Sequence, residues 1–157
     1  MDTEPSFVDT SQEKNLSAQM KASYVALEAQ AIKMLLTGDG VVLEQLRSQW
    51  ELSTARSRMF SGTGFFTEFA LPEHIARTSP ANFEIGDVAA WVSGIQIGML
   101  LFVREGAIAW FEAYTFDEPW PDHPVLERLA FHSADGSSSD TRDASYLARL
   151  LTPRNDL

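Results

Sequence analysis

Carboxylates and aromatic rings are concentrated in one short stretch of the sequence. It contains four acids and no lysine or arginine, and its members of interest are Trp110, Glu112, Tyr114, Asp117, Glu118, Trp120 and Asp122. A carboxylate held among apolar rings loses hydration, so its pKa rises and it can exchange protons or receive a cation. We therefore predict a binding surface made of Trp110, Glu112, Tyr114, Asp117, Glu118 and Trp120.

Glu112 has a structural interpretation and two functional ones. A lone glutamate in a strand often pairs with an arginine across the ladder, and the candidates here are Arg56, Arg58 and Arg104. Alternatively, Glu112 belongs to a binding surface, or it acts as an acid or base together with Asp87 or Asp117. Because Asp87 follows a glycine, a turn or backbone-bonding role is the simpler interpretation of that residue.

Other catalytic and ligand-binding patterns are missing from the sequence. The glycine-rich turn Gly62-Thr63-Gly64 is followed by two phenylalanines, not by a helix that could bind phosphate. His74, His123 and His132 are isolated from one another, and the chain has no cysteine. No serine lies in a nucleophile elbow. We expect no metal site, no cofactor and no assigned catalytic residue.

Two helices are expected to precede a sheet. Between Ser11 and Thr37 one apolar stripe with the period of a helix is formed by Leu16, Met20, Tyr24, Leu27, Ala31, Met34 and Leu35. A second helix, about Gly40–Leu52, presents Leu43, Leu46 and Trp50 on one face. The short turn between them predicts a helical hairpin.

After Ser53 the apolar period changes to two, which indicates strands. The predicted strands are Ala55–Phe60, Phe65–Leu71, Phe83–Val92 with a bulge or end at Gly86, Met99–Val103, Ala107–Phe116 and, less clearly marked, Val125–Ser133. The fold class expected is α+β: the helical hairpin, then an antiparallel β-meander of about five strands, with the helices packed on one sheet face.

Composition divides the chain into four parts. Residues 1–10 are expected to be disordered, and residues 11–133 to form a single α+β domain. Residues 134–144 are small and polar, which is typical of a flexible linker. Residues 145–157 are expected to be a short C-terminal helix or tail.

Charge restricts the partners of this protein. Its 157 residues include 22 acids against 12 lysines and arginines, a formal net charge of −10. Nucleic acids and anionic membranes would be repelled, so we expect neither, whereas a basic protein is a suitable partner. Met1–Asp9 lacks the basic and apolar regions of a secretory signal, and we therefore expect a cytoplasmic protein.

Parts of the sequence resemble a family of small uncharacterised bacterial proteins. The resemblance covers roughly Leu43–Pro121, and its most specific motifs are GFFT at Gly64–Thr67 and YTFDEPWP at Tyr114–Pro121. The family pattern reads TGxGFFTxF, GDV, LFVxDG and LEGYTYDExWP. This chain departs from it at Glu105, Phe111, Ala113 and Phe116. The resemblance implies an intact domain and no particular activity.

Two classes of function are compatible with the sequence. The first is a non-enzymatic protein-binding module, analogous in charge and size to immunity proteins that neutralise basic toxins. The alternative is a small-molecule-binding domain or a minor hydrolase that uses the carboxylates around Glu112. The missing nucleophile, metal and phosphate motifs favour the first class.

The long apolar stripe Leu16–Leu35 predicts self-association, because it offers more apolar surface than a domain of two helices and one sheet needs to cover itself. We expect a homodimer formed through the N-terminal helix or an exposed sheet edge. Light scattering at micromolar concentration should give the mass of two chains. The mass of one chain would exclude the dimer.

Overall fold

The computed structural model describes residues 18–152. In that range the helices are α1 Ala18–Leu35, α2 Val41–Leu52 and α3 Ala144–Leu150. The strands are β1 Thr54–Phe60, β2 Gly64–Ala70, β3 Phe83–Ile85, β4 Val88–Val92, β5 Ile95–Arg104, β6 Ala107–Thr115, β7 Leu126–His132 and β8 Ser138–Ser139. The predicted disordered segment 1–10, Leu16, the start of the first predicted helix and the end of the tail lie outside the described residues.

The α+β class and the antiparallel sheet are confirmed, but the expected number of strands was too low. Eight strands form one sheet in the order β1-β2-β6-β5-β4-β7-β8, and β3 also pairs with β5. Since β6 lies between β2 and β5, the sheet is not a simple meander. The predicted strand Phe83–Val92 is divided at Gly86, where an added Cβ would lie 2.5 Å from a Leu100 methyl carbon.

The core lies between one sheet face and the helices α1 and α2. Alternate residues of β5, among them Met99, Leu101 and Val103, are fully buried on this face, as Phe111 of β6 is. From α1 the core receives Tyr24, Leu27, Ala31, Ile32 and Leu35. The described part of the apolar stripe is therefore covered within one chain, and the homodimer stays a prediction.

A buried glutamine fixes α2 to the β5–β6 hairpin. The Gln49 amide donates to the carbonyl oxygens of Gly106 at 2.8 Å and Ala76 at 2.9 Å. Its own oxygen accepts from the Ile108 N–H at 2.8 Å. All three bonds are made to backbone, so this polar side chain is buried at little cost and fixes the position of the hairpin.

Asp87 and Arg142 form a buried ion pair beside the C-terminus of α1. Asp87 has no exposed surface, and Arg142 donates to both of its carboxylate oxygens, at 2.7 and 2.8 Å. The same guanidinium donates to the carbonyl oxygens of Leu35 and Thr37, which end the first helix. A cation at this position also interacts favourably with the helix dipole. One arginine thus joins the break between β3 and β4 to α1.

Arg142 belongs to residues 134–144, whose composition predicts a flexible linker. In the structure this segment includes β8, which pairs with β7, and Asp143, whose carboxylate accepts from the Tyr146 N–H at the start of α3. Asp135, Gly136 and Ser137 are exposed. The segment is thus anchored by the β8 pairing and by the contacts of Arg142 and Asp143, which its composition does not indicate.

Replacing Arg142 should test the importance of this ion pair. We expect Arg142→Met to lower the free energy of unfolding by about 3–5 kcal/mol, because Asp87 remains buried without a counter-ion. The double variant Asp87→Asn with Arg142→Met should recover part of the loss. Urea unfolding measures both, and Arg149→Met on the exposed side of α3 is the control. Equal stability of Arg142→Met and the control would contradict the assignment.

Candidate functional site

The sheet face turned away from α1 and α2 is called the outer face here. Strand alternation fixes its composition, since every second residue of a strand points away from the core. Its centre is formed by half-buried side chains of β2, β5 and β6, namely Phe66, Leu100, Phe102, Trp110, Glu112 and Tyr114. Four of these six residues are aromatic, and Glu112 is the one carboxylate among them; Glu68, opposite Trp110, and Glu84, opposite Phe102, are further carboxylates on this face.

Trp110 is the central ring of an aromatic cluster on the outer face. It stacks on Phe102 of the neighbouring strand, with ring centroids 4.6 Å apart, and lies 6.0 Å from Phe66. The guanidinium of Arg104 lies 5.3 Å from the centroid of Phe102 and 5.4 Å from that of Trp110. Arg104 also forms a 2.8 Å ion pair with Glu84. The edge of this face therefore already holds one cation over the rings.

Glu112 does not form the ion pair that one interpretation of the sequence predicted. Its neighbours across the ladders are Phe66 and Leu100, and neither can supply a charge. Arg58 instead forms an ion pair with Glu28 on α1, at 2.6 Å, and Arg104 is paired with Glu84. Among the described residues, no ion pair includes Glu112.

The surroundings of Glu112 change its acidity. Burial raises the pKa of Glu112 above its ordinary value of 4.5. The indole N–H of Trp110 partly offsets this rise, although its geometry falls short of a full hydrogen bond and it has no other partner in the described chain. Burial and the Glu112 charge also raise the pKa of Tyr114. The outer face thus holds a carboxylate without a counter-ion, whose nearest donor, the Trp110 N–H, is not fully hydrogen-bonded.

Tyr114 and the residues after it extend the outer face toward an acidic loop. Tyr114 lies over Gly98, where an added Cβ would be 2.5 Å from the tyrosine ring, so only glycine permits this contact. Phe116 meets Tyr114 edge-on at 5.6 Å and is 59% exposed. Asp117 and Glu118 follow it and are exposed. Of the six predicted binding residues, Trp110, Glu112 and Tyr114 therefore lie together on the outer face, and Asp117 and Glu118 are exposed in the loop that follows β6.

Trp120, the sixth predicted binding residue, lies in the core and not on this surface. It is 5% exposed and meets the rings of Tyr24 and Phe65 edge-on, each at 5.7 Å. Its backbone N–H donates to the carbonyl oxygen of Gly62 at 2.9 Å. The proline-rich loop thus carries the chain from the outer face to the core side, where Trp120 fills space beside α1.

Asp87, the other candidate catalytic partner of Glu112, is also held elsewhere. Arg142 occupies both of its oxygens, so no free carboxylate is left to work with Glu112. Within residues 18–152, no group of three or more His, Cys, Asp or Glu side chains is placed to hold a metal ion. None of the described helices is both long and apolar enough to span a membrane.

Comparisons of the chain with protein-family models, with curated proteins and with solved structures gave no match. The resemblance inferred from the sequence motifs therefore stays a prediction. Two motif residues have clear structural roles. A Cβ on Gly64 would lie 2.1 Å from the Ala113 carbonyl oxygen, and Trp120 is a core residue.

Sequence reasoning missed Phe66, Leu100 and Phe102 as members of the outer face. The tight turn at Glu105-Gly106 does not reveal Leu100 and Phe102, because an irregularity between Phe102 and Val103 shifts the register by one residue before they oppose Glu112 and Trp110. Phe66 was also out of reach, since β2 and β6 are far apart in the sequence and no turn fixes their pairing.

The raised pKa of Glu112 predicts how a substitution there should respond to pH. Because burial raises the pKa of Glu112 in the folded state, the folded protein is more stable when Glu112 is protonated. This stabilisation is fully present below the ordinary pKa of 4.5 and is lost as pH rises through the folded-state pKa. Glu112→Gln should therefore raise the melting temperature at pH 7 and leave it unchanged near pH 3.5.

Differential scanning calorimetry of Glu112→Gln measures this effect, with Glu51→Gln on the exposed side of α2 as the control. A lower melting temperature at pH 7 would mean that Glu112 forms a stabilising ion pair.

Proposed function

We propose that this protein is a non-enzymatic protein-binding module whose outer face binds a basic protein. The observation that carries the proposal is Glu112, a carboxylate half-buried among aromatic rings and without a counter-ion among the described residues. A lysine or arginine of a partner would supply the missing charge. It would also remove the cost of holding Glu112 ionised in partly apolar surroundings.

The rings beside Glu112 suit such a cation. Trp110 and Tyr114 precede and follow it on the same face of β6, and cations are attracted to the faces of aromatic rings. Arg104 supports this proposal from within the chain, since its guanidinium already lies over Phe102 and Trp110. An arginine of the partner could contact the rings of Trp110 and Tyr114 in a similar way and pair with Glu112 between them.

Charge outside the centre favours the same partner. Asp117, Glu118 and Asp122 are all exposed in the loop that follows β6. The whole chain carries a net charge of −10. Fields of this sign accelerate encounters with basic proteins and slow those with acidic ones. The analogy with immunity proteins that bind basic toxins rests on this charge and on the small size of the chain.

The alternative function as an enzyme is less well supported, because Asp87 is not available as a catalytic partner of Glu112. It needed a second carboxylate beside Glu112, and Asp87 is committed to Arg142. Asp117 is exposed on a loop, where water competes for any proton that it would transfer. The protein-binding proposal needs only the groups that the outer face presents.

Reversing the rim charges should slow association without unfolding the protein. For a basic partner captured from the native cell extract, we expect Asp117→Lys with Glu118→Lys to reduce the association rate about ten-fold at low salt and to flatten its salt dependence. Surface plasmon resonance measures the rate. Asp39→Lys with Glu44→Lys makes the same charge change at exposed positions on the helical side and is the matched control.

Capture alone does not support the proposal. A captured protein counts only if Trp110→Ala or Glu112→Gln increases its dissociation rate and the Asp39→Lys, Glu44→Lys control does not. Equal loss of association in the rim variant and in the control would show that only net charge matters, and the outer face would then not be the binding site.

A further inference from the structure

Strand β1 is an edge of the sheet that no other described strand covers. The sheet order begins with β1, and at the opposite end it finishes with β8, which has two residues. Five of the seven β1 residues are exposed. An exposed edge strand presents unpaired backbone N–H and C=O groups, which can pair with an extended segment of another chain.

An apolar cavity lies beside this edge, between α1 and β1. Its volume is about 240 Å³, and it is lined chiefly by Lys21, Tyr24, Val25, Arg58, Met59 and Phe60. Val25 is 44% exposed, so a large apolar side chain faces water at the cavity. Met59 borders the cavity through its backbone, since it is paired with Phe66 and its side chain lies on the outer face. A cavity of this kind suits one apolar side chain of a ligand.

Lys21 and Arg58 supply N–H donors at the border of the cavity. Lys21 is exposed at its border, on the first described turns of α1. Arg58 donates to Glu28 through Nε and Nη2, and its Nη1 has no hydrogen-bond partner among the described residues. Lys21 therefore supplies a positive charge beside the cavity, and Arg58, whose charge is balanced by Glu28, offers a free N–H donor, which favours a ligand that combines an apolar group with a carboxylate.

Tyr24 adds a polar group to the wall of the cavity. Its ring lines the cavity, and its hydroxyl is buried without a hydrogen-bond partner in the described part of the chain. Burial raises the pKa of Tyr24 to about 12, so the hydroxyl remains protonated and able to donate.

We propose that β1 and this cavity bind an extended peptide of another protein, which adds to β1 as a further strand, inserts one apolar side chain into the cavity and places a carboxylate beside Lys21 and Arg58. Strand addition of this kind obtains affinity from main-chain hydrogen bonds and specificity from the cavity. The site differs from the outer face in position and in the sign of its charge, so it does not depend on the proposed function.

A second copy of this chain is a poorer occupant of the edge than an acidic peptide. Antiparallel pairing of two β1 strands would bring Arg56 and Arg58 of one copy close to the same arginines of the other. Like charges on paired strands are destabilising. An acidic peptide instead meets complementary charge.

Three fluorescein-labelled peptides test the proposal on the full chain by fluorescence anisotropy. The first is Thr-Val-Thr-Val-Phe with a free terminal carboxylate, the second is Thr-Val-Thr-Phe-Glu-Thr amide, and the third is Thr-Val-Thr-Val-Phe amide. We expect the first two to bind and the neutral amide to bind about five-fold more weakly. Lack of binding of all three at millimolar protein would overturn the proposal, as would equal binding of the charged and neutral peptides.

Two variants and a matched control locate the binding. Lys21→Glu should weaken the charged peptides about five-fold or more and leave the neutral one unchanged. Val25→Glu should weaken all three. Lys33→Glu makes the same charge change at an exposed position farther along α1 and should have no effect. An equal effect of Lys21→Glu and Lys33→Glu would overturn the proposal.

Amide hydrogen exchange tests the strand addition itself. Saturation with the first peptide should slow exchange within β1 at least about ten-fold, because new main-chain hydrogen bonds protect its amides. Binding that leaves β1 exchange unchanged would show that the ligand uses the cavity alone, and the strand-addition proposal would be wrong.

Discussion

The alternation of side chains along β5 and β6 is the constraint on which the rest of the structure depends. One face of these strands must supply the core beneath α1 and α2, and Leu101 and Phe111 are fully buried there. The other face then receives the intervening residues, so the positions of Phe102, Trp110 and Glu112 follow from the burial of their neighbours. The aromatic and acidic outer face is therefore a geometrical consequence of how the core is packed.

The ion pairs among the described residues engage carboxylates other than Glu112. Arg58 forms an ion pair with Glu28, Arg104 with Glu84 and Arg142 with Asp87. Each pair joins two elements of the fold, and a buried carboxylate that lost its arginine would be costly. Glu112 lies between apolar neighbours on both adjacent strands, where no described arginine reaches it. A cation supplied from outside the chain is the counter-ion that we propose for Glu112.

Periodicity predicted the helices, most strands and the α+β class, because those features depend on local burial patterns. It also placed Glu112 on one face with Trp110 and Tyr114. It did not predict that Trp120 returns to the core or that Arg142 pairs with Asp87. Both depend on contacts between residues distant in the sequence, and a proline-rich loop or a polar segment gives no periodic signal of such contacts. The order of β2, β6 and β5 in the sheet could not be predicted for the same reason.

We propose that Glu112 is a partly desolvated carboxylate whose counter-ion comes from outside the chain. Titration of Glu112 by carbon-13 NMR, in the protein alone and with an arginine-rich peptide of a captured partner, tests this proposal. We expect a pKa above 4.5 in the protein alone, where burial is the main cause, and a fall when the peptide is bound. A pKa at or below 4.5 in the protein alone, or one that the bound peptide leaves unchanged, would contradict it.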